Sequence, residues 1–261
     1  MKYIFSKLSE IERKIKDLKH VALLLDFDGT ISPIVKKPEN AYITEKVRHT
    51  LKKINKVFPI IIVTGRPFYV IKKKVKVAKF IYTASHGLEW NLNNKLERKT
   101  LPKLTEEKIN QIRQIIKNIK KDYPSLIIEN KPYSVTFHYH RMSVKDKKTF
   151  KGWLKKFLKP IYKQSSIRIF HDKETIDITP NLHWTKGNVA KLALKYLYKK
   201  TKRNYMPIYI GDSLTDEDAF IALKKDGITV RVGKNKKSAA KWYLKNQKEV
   251  SFFLKWLLSL K

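Results

Sequence analysis

The chain of 261 residues contains no cysteine. That excludes disulfide staples, a thiol nucleophile and a cysteine–zinc centre, and nothing in the composition points to secretion. Long hydrophobic runs are lacking as well. No apolar stretch approaches the ~18 residues of a membrane span. The first twenty residues alternate charge with apolar side chains and lack the apolar block of a signal peptide, so a soluble, cytoplasmic protein is expected. Internal repeats and low-complexity tracts are missing too. Acidic residues are scarce, 23 against 58 Lys and Arg, which leaves a net charge of +35. Such a balance favours anionic partners: nucleic acid, an acidic membrane surface or a phosphorylated substrate. The lysines are scattered (Lys72–Lys74, Lys147-Lys148, Lys199-Lys200, Lys236-Lys237) and no aromatic platforms are interleaved with them, so specific nucleic-acid binding is not expected.

What is present is core-forming material, 42% hydrophobic and 11% aromatic residues, which excludes disorder and collagen-like repeats. Ile4, Leu8, Ile11, Ile15 and Leu18 recur at three- and four-residue spacings and predict an amphipathic helix. Val21–Leu25 and Ile60–Val63 are continuous apolar runs of the kind buried in parallel sheets, each stopping at a polar turn. Phe80–Ala84 makes a third strand, and Thr44 caps a helix between the first two. The texture then changes. A helix over 105–121 and one over 144–158 alternate with short strands at 126–129, 134–139, 167–170 and 175–178. The parallel pattern resumes with a helix at 186–198, strands at 207–210 and 228–233, and a helix at 250–260. The expected fold is α/β: a doubly wound parallel sheet, residues 1–87 and 183–261, interrupted by an α+β insert over 88–182.

Two buried strands run straight into an aspartate, Asp26 and Asp212. Ligands of open parallel sheets bind at the carboxyl ends of the strands, so Asp26, Asp28 and Asp212 are expected to converge there. An aspartate after a strand also serves simply to cap the next helix. For three of them together, with Thr64 and Lys186 placed as they are, that reading is poor. Crowded carboxylates repel and call for a divalent cation. Phosphoryl transfer fits the set. Asp26 is suited to attack phosphorus, and Asp28 to protonate the leaving oxygen and then deprotonate water. A cation held by Asp26, Asp212 and the Asp28 carbonyl screens the approach of anion to anion, with Asp216 in reach of the same metal or its surroundings. The Thr64 hydroxyl and the Lys186 ammonium suit the phosphate oxygens.

Asp26-Phe27-Asp28-Gly29-Thr30, Thr64-Gly65-Arg66, Lys186-Gly187 and Gly211-Asp212 through Asp216 are similar, in order, to the four motifs of the haloacid dehalogenase superfamily. The resemblance implies a Rossmann-like core, Mg2+ dependence, an aspartyl-phosphate intermediate and phosphate binding by Thr64, Gly65, Arg66 and Lys186. The insert between the second and third motifs corresponds to the superfamily's larger cap type. Over most of its length the chain resembles the trehalose-6-phosphate phosphatase family, on Gly29–Ile34, His86-Gly87-Leu88-Glu89, Gly211–Phe220 and the pattern Ala239, Tyr243, Leu244, Val250, Phe253, Leu254. Glu129-Asn130-Lys131 and His138-Tyr139 look like that family's cap strands, whose Glu and Lys hold sugar hydroxyls. Lys173 and Asp177 match its second acid–base pair, with Asp for Glu. The chain departs from the pattern at Ser213, Thr185, Asp177 and His140, and all but Ser213 lie toward the substrate side.

A small-molecule sugar phosphate is therefore the expected partner, with no specific nucleic acid, no membrane, a monomeric chain and a functional link to a trehalose-phosphate synthase. Sucrose phosphate, mannosyl-phosphoglycerate and glucosylglycerol phosphate are alternative substrates. A basic nucleic-acid-binding protein on a dead core, or a non-catalytic partner of a synthase, are readings of other classes. The intact Asp26, Asp28, Thr64, Lys186 and Asp212 argue against both.

Overall fold

The computed structural model describes residues 1–17, 20–35, 37–92, 95–162, 166–172, 174–182 and 184–260; Leu18, Lys173 and His183 fall outside them. In chain order the strands are β1 (Lys2–Tyr3), β2 (Val21–Leu25), β3 (Ile60–Val63), β4 (Ile81–Ala84), β5 (Glu89–Trp90), β6 (Glu97–Arg98), β7 (Ile127–Asn130), β8 (Val135–His138), β9 (Ile167–Asp172), β10 (Thr175–Pro180), β11 (Met206–Gly211), β12 (Ile228–Val232) and β13 (Trp242–Leu244). The helices are α1 (Leu8–Asp17), α2 (Glu45–Ile54), α3 (Phe68–Val75), α4 (Lys103–Asp122), α5 (Val144–Tyr162), α6 (Lys186–Thr201), α7 (Glu217–Leu223) and α8 (Gln247–Ser259).

The chain divides into two compact units, Met1–Arg98 with Trp184–Lys261, and Lys99–His183. In the first, nine strands run in the order β1-β13-β12-β11-β2-β3-β4-β5-β6. Pairing is parallel from β1 through β4, and the hairpin β5–β6 extends the edge antiparallel. Alternate residues of β2 point to opposite faces. Val21, Leu23 and Leu25 join one apolar cluster with α1, α2, α3 and α8, while Ala22 and Leu24 join another with α6 and α7. Burial on both faces is why this strand reads as an unbroken apolar run; each buried Leu contributes about 1.5–3 kcal/mol. Chain order reverses between β2 and β11, which puts a crevice at their carboxyl ends.

The second unit is a four-stranded antiparallel sheet, β7-β8-β10-β9, with α4 and α5 on one face. Ile109, Ile112, Phe137, Phe150, Leu154, Ile176 and Ile178 share its core. The first boundary differs from the one placed after Gly87. Residues Leu88–Leu92 stay with the first unit because Trp90 and Leu92 pack into its α6–α7 cluster and β5 pairs with β4.

Candidate active site

The turn after β2 is shaped by one carbonyl: Thr30, Ile31 and Ser32 all donate their N–H to Phe27 O. The Asp26 N–H donates to Ile210 O at 2.9 Å, locking the turn to β11. Gly29 has φ +72, and a Cβ there would stand 2.1 Å from Asp212 Oδ2, so the Asp212 carboxylate lies directly against the turn. Only glycine satisfies both demands.

Lys186 opens α6, where Thr185 and Asn188 form a reciprocal cap. Its ammonium, 3% exposed, donates to Asp26 Oδ1 at 2.9 Å and Asp216 Oδ1 at 2.8 Å. Tyr209 Oη donates to the same Asp216 oxygen at 2.7 Å, and Ser213 N and Oγ donate to Asp216 Oδ2 at 2.9 and 2.7 Å. Two of the departures from the family pattern thus hold local jobs: Thr185 caps α6, and Ser213 fastens Asp216.

Asp26, Asp212 and Asp216 each offer one oxygen, all within 4.8 Å of one another. Burial, and then the charges of Asp216 and Asp212, push the Asp26 carboxyl well above its usual range against the pull of Lys186. Burial and the Asp216 charge raise Asp212 to about 7. Asp216 moves the other way, because the Lys186 and Ser213 contacts outweigh its own burial. Burial opposes the charge on Lys186, but Asp216 and Asp26 override it and raise its pKa. Asp216 already accepts four hydrogen bonds, whereas no donor to the Asp212 carboxylate is found among the described residues. An all-oxygen set with two carboxyls destabilised as anions fits a hard divalent cation, which Asp26, Asp212 and Asp216 could hold.

Thr64 follows β3, buried, and its N–H donates to Thr83 O at 2.9 Å. Its hydroxyl accepts from Arg66 N at 3.2 Å. Arg66 itself grips Asp28 through two hydrogen bonds of 2.7 Å and lies 5.4 Å from the Phe27 ring centroid. The family resemblance sets Arg66 on phosphate; here its guanidinium is paired with Asp28. Gly65 lets the loop pass close to the His86 ring, 2.5 Å from where a Cβ would stand.

In the second unit, Glu129, Thr136 and Asp177 are cross-strand neighbours on β7, β8 and β10. Thr136 Oγ1 donates to Asp177 Oδ1 at 2.6 Å and accepts from Lys131 Nζ at 2.9 Å. Lys131 Nζ also lies 3.0 Å from Glu129 Oε2, and His138 Nε2 lies 3.3 Å from Glu129 Oε1, without a hydrogen bond's alignment. Burial alone would raise Glu129, but His138 and Lys131 beside it bring it down to about 2. Glu129, Lys131, His138 and Asp177 therefore form one polar row through Thr136, while Lys173 lies outside the described residues. Thr136 and Tyr209 carry no sequence signal of their own: strand register sets Thr136 between Glu129 and Asp177, and Tyr209 meets Asp216 only through the turn after β11.

Asp26 and Asp212 thus stand at the switch point of a doubly wound sheet, a buried lysine joins Asp26 to Asp216, and an α+β unit is inserted in the chain. The family model described as trehalose-phosphatase matches residues 24–248. The chain belongs to the trehalose-phosphatase family and is a phosphomonoester hydrolase. It is 31% identical over 256 residues to a probable trehalose-phosphate phosphatase D of Arabidopsis thaliana, covering 93% of this chain and 68% of that one. The C-terminal domain of a Candida albicans trehalose-6-phosphate phosphatase superposes with a TM-score of 0.82 at 22% identity, over 98% of this chain and 97% of that one. The C-terminal domain of a C. albicans trehalose synthase regulatory protein gives 0.69 at 12% identity, over 93% of this chain and 97% of that one. At such identities both structures speak for the fold alone. Among the described residues no helix is long and apolar enough to cross a membrane.

Proposed function

We propose that the protein hydrolyses trehalose 6-phosphate to trehalose and inorganic phosphate, with Asp26 as nucleophile and Mg2+ as the cation. The observation that carries this reading is the Asp26 carboxylate at the switch point, held on one oxygen by Lys186 and set beside Asp212. Asp26 attacks phosphorus as the bond to the sugar oxygen breaks, and Asp28 gives that oxygen its proton. Asp28 then takes a proton from the water that displaces Asp26 from phosphorus. Arg66 orients Asp28 through its two hydrogen bonds, and Thr64 and Lys186 stabilise charge on the non-bridging oxygens. When bound, Mg2+ screens the approach of one anion to another.

Selection of the sugar is assigned to the polar row Glu129, Lys131, His138 and Asp177, with Lys173. A disaccharide offers hydroxyls that need both acceptors and donors, and a paired carboxylate and ammonium supply both. Asp177 stands where the family has Glu and is committed to Thr136, which favours a second reading: another disaccharide phosphate of similar size. Phosphate release from a panel of sugar phosphates, with Mg2+ and with a chelator, tests both. Turnover confined to a phosphate other than trehalose 6-phosphate would replace the first reading by the second.

A further inference from the structure

Ser85 (φ 49) and His86 (φ 57) adopt the left-handed conformation in succession, followed by Gly87 (φ 95). Two adjacent non-glycine residues hold this shape only where their surroundings over-determine it, and such strain gathers at functional sites. Here the surroundings are the loop that carries Thr64 and Arg66. Ser85 N donates to Arg66 O at 2.8 Å and His86 N to Thr64 O at 3.1 Å. The His86 ring covers Gly65 between them.

One buried side chain holds turn and loop together. Glu89, 1% exposed, accepts from Ser85 Oγ at 2.8 Å and from Phe68 N at 2.9 Å on Oε2, and from Arg98 Nε at 3.3 Å on Oε1. Phe68 opens α3, whose N-cap position is Pro67, a residue with no side-chain acceptor. Glu89, at the start of β5, therefore caps α3 in its place. The segment from Thr64 to Phe68 is tied at Thr64 to Thr83 and the strained turn, and at Phe68 to Glu89. Arg66, within it, is tied to that turn and in turn fixes Asp28.

We infer that Glu89 is a positioning residue: it locks the Ser85–Gly87 turn onto the Thr64–Arg66 loop, and so sets where Thr64 meets phosphate and where Arg66 holds Asp28. The inference rests on the phosphatase reading for its kinetic consequence, but the clamp itself is read separately. Two measurements are made on wild type, Glu89→Ala, Glu89→Gln and Ser85→Ala, at a temperature where each is folded. Hydrogen exchange is followed at the Thr64–Phe68 and Ser85–Gly87 amides, and turnover of p-nitrophenyl phosphate is recorded with its inhibition by inorganic phosphate.

Glu89→Ala is expected to speed exchange in those two segments at least about tenfold while β2 and β11 stay protected. It should lower kcat about tenfold or more and weaken phosphate inhibition. Glu89→Gln keeps an acceptor for Ser85 and Phe68 and should return kcat to within about threefold. Ser85→Ala, a milder change, should move exchange and phosphate inhibition in the same direction by about threefold. Unchanged local exchange in both alanine variants, or kcat and phosphate inhibition within about twofold of wild type in Glu89→Ala despite a lower melting temperature, would overturn the inference and leave the phosphatase reading intact. A wild type that releases no phosphate from any ester would sink that reading instead, and the exchange data would still judge the clamp.

Discussion

Under the proposed mechanism the chemistry at Asp26 hangs on a single oxygen: Lys186 binds Oδ1, which leaves Oδ2 for attack. Asp26→Asn removes the attacking charge and a cation ligand together, yet keeps the shape. Turnover should fall at least about a hundredfold, ~2.7 kcal/mol in barrier, with the folded state retained; steady-state kinetics beside circular dichroism checks this. Gly29 tests how tightly the turn and Asp212 fit. Gly29→Ala combines a left-handed φ with a Cβ that would overlap the Asp212 carboxylate, so both stability and turnover should drop. Gly233, with φ +84 and open space around its Cβ position, supplies the contrast. Gly233→Ala should cost about 1 kcal/mol in stability and leave turnover unchanged. Equal losses of activity in the two variants would mean that strain, not displacement of Asp212, governs the site.

Elements buried on both faces, such as β2, β3 and β11, are legible in the sequence because a continuous apolar run that stops at a polar turn is what a central parallel strand requires. The short strands at the two ends of the sheet are not. The edge strands β1 and β6 and their neighbours β13 and β5 span only two or three residues each and carry no period of their own. Pairing to a formed sheet makes them strands, as β1 shows by aligning Lys2 with Trp242 and Tyr3 with Tyr243. The same limit applies to the site. Asp26, Asp212 and Lys186 are legible because each sits at the end of a periodic element, whereas the Arg66–Asp28 pair joins residues 38 apart and has no local signature.

In the second unit, Arg113 of α4 donates to Asn130 Oδ1, Lys131 O and Pro132 O, pinning the turn that bears Lys131. Arg113→Ala should raise KM for the sugar phosphate about threefold or more and leave p-nitrophenyl phosphate turnover alone, since the small ester needs no sugar contacts. A parallel rise with both substrates would assign Arg113 to stability only. Glu129 adds a dependence on acid. Its pKa falls from an ordinary 4.5 to about 2 on folding, so the stability it contributes is present above pH 4.5 and is lost as pH drops toward 2. The stability difference between wild type and Glu129→Gln should therefore shrink over that interval, as measured by denaturant unfolding at pH 6 and pH 3.

Over the whole molecule the +35 charge is the dominant field. Like charges crowd even at the sheet edge, where the Lys14 ammonium, with a smaller effect of burial, lowers Lys241. Self-repulsion of this kind opposes the compact state and is screened beyond about 8 Å at physiological salt. Added NaCl should raise the melting temperature, and retention on DNA should fall steeply with salt without sequence preference. A salt-resistant, sequence-selective complex would contradict that account of the charge.

Two units of different architecture, one carrying the carboxylates and one the polar row, divide the proposed work into phosphate chemistry and sugar selection. The measurement that bears on this most directly is phosphate release by wild type and Glu129→Ala, from trehalose 6-phosphate and from p-nitrophenyl phosphate, with Mg2+ and after chelation. The account predicts no release without the cation, preference of wild type for trehalose 6-phosphate, and at least about a tenfold loss of kcat/KM in Glu129→Ala on that substrate alone. Release that survives chelation, or equal losses on both substrates, would contradict it.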